Sequence, residues 1–435
     1  MKIWTLLVGL VLPWMVTAQN AARLDSLLEM MAKEGRLYGQ VCLMKNGHVV
    51  YERAFGEAGP GRQLQTADCM HIGSISKTFT AVMILQLVEN GQLKLTDKLA
   101  RFFPQLPNAD SITIDQMLRH RSGLFNLTAM PGYLPWAYEK RSKKEMLKLM
   151  SKQSPLFAPG TSAMYSNTNF ILLGWILEEV TGKDYAYNLQ DRIARPLGLK
   201  FLRYAQVVAP EKGEAASFKA DFSVSRNTFP TLPGGAGAIS CNAHDLAEFF
   251  TALFQFRYLK PDQVAYMKRM EDGLGAGLFE VPYRKKLVLG HNGAIDEFRA
   301  AAGYAPDSTL SFALLTNLSS DEMNDVLLMI MDDFYNISWK MPKSIALLTE
   351  AQLAAISGEY TSATLPISIS LKGSRGRLVA QASGQDAFPL LPTDEPDRYK
   401  FNLADITLDL KRDSSGKVTG FRFRQGSGDY DFKRK

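Results

Sequence analysis

The chain has 435 residues, 46% of them hydrophobic and 22% charged, a composition ordinary for a globular protein and a length beyond one hydrophobic core, so two folding units are expected. The formal net charge of +6 is scattered, with Lys and Arg interspersed among Asp and Glu, which argues against nucleic acid as a partner. Three cysteines and five histidines, with no His-x-x-x-His pair and no metal-like spacing, argue against structural zinc.

At the start, Met1-Lys2, an apolar run over Ile3–Leu12 and the small residues to Ala18 read as a signal peptide cut after Ala18. The run is too short to span a bilayer, no later segment is long and apolar enough, and no cysteine follows the cut to carry a lipid. An exported protein, periplasmic or secreted, without a transmembrane anchor is expected. Helical spacing then predicts a helix over Ala21–Ala32. Gly39–Met44 and His48–Phe55 flank Asn46-Gly47, a pair that favours a tight turn and so a β-hairpin. Cys42, Cys69 and Cys241 lie among apolar or small residues and read as buried free thiols or at most one bridge.

Ser74-Ile75-Ser76-Lys77 heads an apolar helical run that continues to Asn90 and stops at Gly91. Residues three apart on a helix lie one above the other, so the lysine amine can sit beside the serine hydroxyl. The run is too apolar for a surface helix, and a buried lysine loses solvation, which lowers its pKa toward that of a usable base. If Ser74 opens the helix, its N–H is an unpaired donor able to face an oxyanion. Alone, the tetrapeptide more often marks a capping serine and a solvated lysine.

Helices follow over Thr113–Leu118 and Lys143–Lys152. Tyr165 and Asn167 then fall on a loop entering a helix over Asn169–Thr181. Beside a lysine ammonium a tyrosine loses its proton more readily and can act as general base, while Asn167 can hold both a substrate amide and the lysine. The plainer reading is a buried tyrosine and a turn asparagine. A helix over Ala243–Phe254 precedes strands at Lys286–Leu289, Phe298–Tyr304 and Leu310–Thr316 and a closing helix over Asp321–Tyr335. On or next to the first of these strands, His291 can bind a substrate carboxylate or assist proton transfer, Gly293 allows close backbone approach, and the Ala294 N–H can serve as second oxyanion donor. This order suggests one antiparallel sheet completed from both ends of the chain, with the central helices beside it. From residue 343 a short helix and seven short alternating strands, the first at Gly358–Tyr360 and the last at Tyr430–Phe432, predict an all-β barrel or meander to residue 435.

Three motifs in order, Ser74-Ile75-Ser76-Lys77, Tyr165-Ser166-Asn167 and His291-Asn292-Gly293, resemble the serine β-lactamase and penicillin-recognising hydrolase superfamily. The resemblance is nearest to its class C-like branch of DD-peptidases, D-aminopeptidases and esterases. Framing segments Ile112–Leu124, Arg195–Lys200 and Gly234–Ser240 match as well, and the whole covers roughly residues 22 to 336. The resemblance implies a β-lactamase-like α/β sandwich over 19–342, an antiparallel sheet flanked by helices with an all-helical lobe beside it. It also implies a lipocalin-like β-domain over 343–435. Ser74 would form an acyl-enzyme, Lys77 and Tyr165 would share the proton transfers, and the Ser74 and Ala294 N–H groups would hold the oxyanion. No metal or organic cofactor is implied. The partner would be a small-molecule or peptide substrate, with cell-wall material among the candidates. True β-lactamases of this branch generally carry Lys-Thr-Gly as third motif. His291 removes that permanent cation, so a peptide, D-amino-acid amide or ester substrate is expected ahead of a β-lactam. The alternatives are a β-lactamase and a penicillin-binding sensor that does not turn over.

Overall fold

Asn46 and Gly47 both adopt positive φ, 53° and 81°, the geometry that closes a two-residue hairpin between β1 (Gly39–Lys45) and β2 (His48–Phe55). The computed structural model describes residues 18–205, 213–318, 320 and 322–435; apart from Ala18, where α1 begins, the expected signal peptide lies outside them. The hairpin does not form a sheet alone. β1 pairs antiparallel with a strand from the far end of the domain, Gly39 opposite Thr316 and Lys45 opposite Leu310. With β3 (Phe279–Glu280), β4 (Leu289–Ile295), β5 (Phe298–Ala305) and β6 (Leu310–Thr316), the sheet order is β2-β1-β6-β5-β4-β3, completed from both ends of the chain.

Side chains alternate across this sheet and build two cores. Phe312 and Leu314 of β6 join Val41 and Leu43 under α1 (Ala18–Lys33) and the closing helix at Met323–Phe334. Ala313 and Leu315 face the opposite core with Cys42, Met44 and the helix at Ala243–Phe254. That second core also takes in α2 (Ser76–Glu89), whose hydrophobic residues are buried nearly all round, with Phe79 stacked 3.6 Å from Phe249. Truncating so buried a phenylalanine costs about 3–5 kcal/mol. Behind α2 lies α3 (Asn167–Thr181), equally buried and ended by Gly182 at φ 66°.

The sequence misplaces one strand here. Lys286 belongs to a bridge with Tyr283, and β4 starts at Leu289 and runs through the His291–Ala294 segment, because the paired edge of β5 continues to Phe298. Short helices at Tyr133–Ala137, Tyr185–Leu189 and Pro261–Lys268 are not evident from periodicity.

The C-terminal unit is a closed barrel of eight antiparallel strands from Gly358–Ser362 to Gly428–Arg434. Sequence reading finds seven of them. The eighth, Phe388–Pro392, carries Pro389 and Pro392, which argue against a strand by propensity, yet it pairs with both neighbours in the closed wall. The barrel core holds Phe421 stacked on Phe432 at 5.0 Å. Contacts to the first domain include Arg375 to Glu57 at 2.8 Å and Ser374 Oγ donating to Asp221 O at 2.8 Å. Among the described residues no helix is long and apolar enough to cross a membrane.

Candidate active site

Ser74 lies in a 3₁₀ turn, Gly73–Ile75, that runs directly into α2, so it precedes the α-helix by one turn instead of opening it. The reason is Gly73, which takes φ +51° and lets β4 come close: a Cβ there would lie 2.8 Å from Ala294 N. Gly293 answers from the strand, where a Cβ would meet Ile72 O at 2.0 Å and Ser74 N at 3.1 Å. These two glycines seat the Gly293-Ala294 backbone against the serine turn. Both expected oxyanion residues, Ser74 and Ala294, therefore line one cavity of about 570 Å³.

Lys77, one turn on, has no exposed surface. Its Nζ lies 3.0 Å from Ser74 Oγ and donates to Asn167 Oδ1 and Ala236 O, both at 2.7 Å. None of these partners is charged, and burial holds the amine well below the ordinary lysine range. A neutral amine has two N–H groups and one lone pair. With the two donors used by Asn167 and Ala236, the lone pair is left for the Ser74 hydroxyl.

Tyr165 Oη donates to Ser74 Oγ at 2.8 Å, and Lys77 Nζ stands 4.9 Å over the tyrosine ring. Burial pushes the phenol up to about 12, outweighing the serine hydrogen bond that lowers it. The expectation that a neighbouring ammonium makes Tyr165 a ready phenolate is thus corrected for the resting site. There the lysine is the group that burial deprotonates and the tyrosine stays a phenol. Its ring is stacked on His120 at 4.5 Å. His120 is buried at φ 56° and accepts from Ser166 N at 3.1 Å, so the Arg119–Arg121 segment positions the tyrosine.

Asn167 is the first residue of α3, not a loop residue. Its Nδ2 donates to Thr128 Oγ1 at 2.9 Å and to Asn126 Oδ1 at 3.3 Å, which aims its carbonyl at Lys77. Neither Asn126 nor Thr128 is evident as a site residue from sequence. Ala236 lies in the Gly234–Ser240 frame, but a backbone acceptor leaves no signature in residue type.

His291 departs from expectation. It is 1% exposed, its Nδ1 lies 2.5 Å from Asn292 O, and its ring packs 4.1 Å from Phe279. Burial drops its pKa to about 3, so it is a neutral imidazole with no charge for a carboxylate. A permanent cation enters from elsewhere. Arg299 of β5 lines the cavity with Ser74, its Nη1 donating to Asp296 O at 3.0 Å and Phe298 O at 2.8 Å. Cys69, five residues before Ser74, is a free thiol that burial pushes up to about 12, so no thiolate competes as nucleophile; Cys42 and Cys241 are also free and buried.

Two recesses meet at Ser74. One, about 570 Å³, includes Tyr165, Phe279 and Met323; the other, about 410 Å³, includes Asn167, Thr128, Tyr133 and Leu134.

The β-lactamase family matches residues 25–330. Penicillin-binding protein 4* of Bacillus subtilis (strain 168) is 28% identical over 258 residues, 53% of this chain and 55% of that protein. The chain spans between about half and two-thirds of the length of the curated relatives it matches. The crystal structure of a D-amino acid amidase from Ochrobactrum anthropi SV3, complexed with L-phenylalanine, superposes with a TM-score of 0.67 at 24% identity. It covers 73% of this chain and 99% of its own. The octameric penicillin-binding protein homologue from Pyrococcus abyssi superposes with a TM-score of 0.64 at 21% identity, covering 94% of this chain, barrel included, and 99% of its own.

Proposed function

The chain belongs to the β-lactamase family, and on that premise we propose that it is an exported serine hydrolase that cleaves a peptide, D-amino-acid amide or ester through an acyl-enzyme on Ser74. The observation that carries this reading is the placement of Lys77 Nζ, desolvated, spent on two neutral acceptors and 3.0 Å from Ser74 Oγ. Ser74 Oγ attacks the carbonyl carbon as its proton passes to Lys77. The oxyanion that forms is held by the N–H groups of Ser74 and Ala294. Tyr165 gives its proton to the leaving group, and the phenolate that results is stabilised by the lysine ammonium formed in the first step. Water then attacks the ester, losing a proton to the phenolate, and the lysine proton returns to Ser74. Protons balance and the resting site is restored.

The recess that contains Tyr165 faces the proton donor and so receives the leaving group; the recess that contains Asn167 receives the acyl part. The amidase likeness supports a D-amino-acid amide as acyl donor. A β-lactam is the second reading, because Arg299 supplies the permanent cation that position 291 lacks. A substrate panel tests the choice: a chromogenic cephalosporin, a short-chain aryl ester, D-Ala-D-Ala peptides and D-amino-acid amides, each with wild type and Ser74→Ala. Turnover of amides and esters ahead of the cephalosporin, lost in the variant, supports the proposal; cephalosporin first in rank reverses it. Export rests on the Met1–Ala18 pattern, and N-terminal sequencing of the mature protein checks it.

A further inference from the structure

The leaving-group recess is not built by the hydrolase domain alone. Leu403, from the C-terminal barrel, lines it together with Ser74, Tyr165, Phe279 and Met323. Leu403 sits at the centre of a single 3₁₀ turn, Asn402–Ala404, closed by Asp405 at φ +49°, and its side chain is 72% exposed. A lone exposed leucine needs no explanation. One projecting from a second domain over the cavity that contains the nucleophile does, because the turn is held there by the docking of the whole barrel. Arg36 Nη1 donates to Lys343 O at 2.9 Å where the chain passes from one domain to the other. Arg375 bonds Glu57 and packs 4.7 Å over Phe222. The turn also separates two cavities: Phe401 and Ala404 line the interior of the barrel mouth, whereas Leu403 lines the recess that also contains Ser74.

Resting on the acyl-enzyme reading above, we propose that Leu403 is a specificity-determining residue contributed by the barrel. With Phe279 and Met323 it forms an apolar wall that selects leaving groups with a bulky apolar body, such as an aromatic or branched aliphatic alcohol or amine. Such a wall acts through the apolar area it covers: one methylene more or less in a hydrophobic substrate pocket changes kcat/KM by roughly 10-fold or more. The hydrolase domain supplies the reaction and the acyl recess; the barrel supplies one side of the leaving-group recess.

The test uses the full chain and two esters with one acyl group, a methyl ester and a naphthyl ester. Leu403→Asp is expected to lower the ratio of kcat/KM for naphthyl over methyl by about tenfold, and Leu403→Met to restore it. Leu403→Ser, neutral, is expected to lower the ratio in the same direction and separates the loss of apolar surface from added charge. An unchanged ratio in Leu403→Asp and Leu403→Ser overturns the proposal. Ser74→Ala run in parallel keeps the two readings apart: persisting turnover there overturns the acyl-enzyme, whereas its loss with an unchanged ratio overturns only the role of Leu403.

Discussion

The hydrolase cleft and the C-terminal barrel treat charge in opposite ways. In the cleft Lys77 is fully buried against three neutral partners, and its ammonium is disfavoured because nothing offsets the lost hydration. In the barrel, cations such as Arg398 and Arg412 stay partly exposed and meet carboxylates, Arg398 with Asp409 at 2.6 Å and Arg412 with Asp397 at 2.7 Å. Such exposed pairs contribute little to stability, and the barrel rests instead on its apolar interior. The contrast teaches that the cleft gives up stability to hold an amine in its reactive form, while the barrel has no such group to hold.

The contrast breaks most visibly at the nucleophile. Ser74→Ala is expected to lower kcat/KM by about 10⁴-fold or more and to abolish the burst with an activated ester; a retained burst excludes Ser74 as the acylated residue. Next comes Lys77→Arg, which keeps a cation that cannot give up its proton, with an expected loss of about 10³-fold. The pH profile sharpens this. Because folding lowers the lysine pKa, the neutral base accumulates as pH rises through that lowered value, so kcat/KM levels off well below 10.5, the ordinary lysine value. With Tyr165 pushed up to about 12, no alkaline fall from the phenol is expected below pH 10. A rate still climbing at pH 10 assigns the base to another group.

Tyr165→Phe is expected to cost about 10²-fold on an anilide and clearly less on a nitrophenyl ester, whose leaving group departs without a proton. Equal losses on both place the tyrosine in structure and not in proton transfer. The smallest catalytic effect is expected in the barrel. Phe421→Ala removes a fully buried ring stacked on Phe432 and should cost about 3–5 kcal/mol in the barrel's unfolding transition, measured by denaturant melts. The acylation rate of a methyl ester should change far less, and a fall matching that of Lys77→Arg ends the division of labour between the two regions.

Much of the fold was legible in the chain because its signals are local. The Asn46-Gly47 turn, the apolar run along Leu310–Thr316 and the helical run after Ser74 each act over a few residues. Where sequence reading failed, a distant partner overruled local preference. Phe388–Pro392 is a strand despite two prolines because the closed barrel pairs it on both sides. β4 starts at Leu289 and not at Lys286 because its pairing with β5 begins there, Leu289 opposite Tyr304.

The site divides along the same line. Sequence alone determined that Ser74 and Lys77 share one face, since three residues of helical backbone bring them together, and that Tyr165 and Asn167 lie at the entry to a buried helix. Packing at long range is what strips Lys77 of water, gives its two N–H groups to Ala236 O and Asn167 Oδ1, buries His291 as a neutral ring and brings Leu403 to the lining of the cleft. Protonation state depends on desolvation and on partners drawn from 90 to 159 residues away, and that information exists only once the chain has packed.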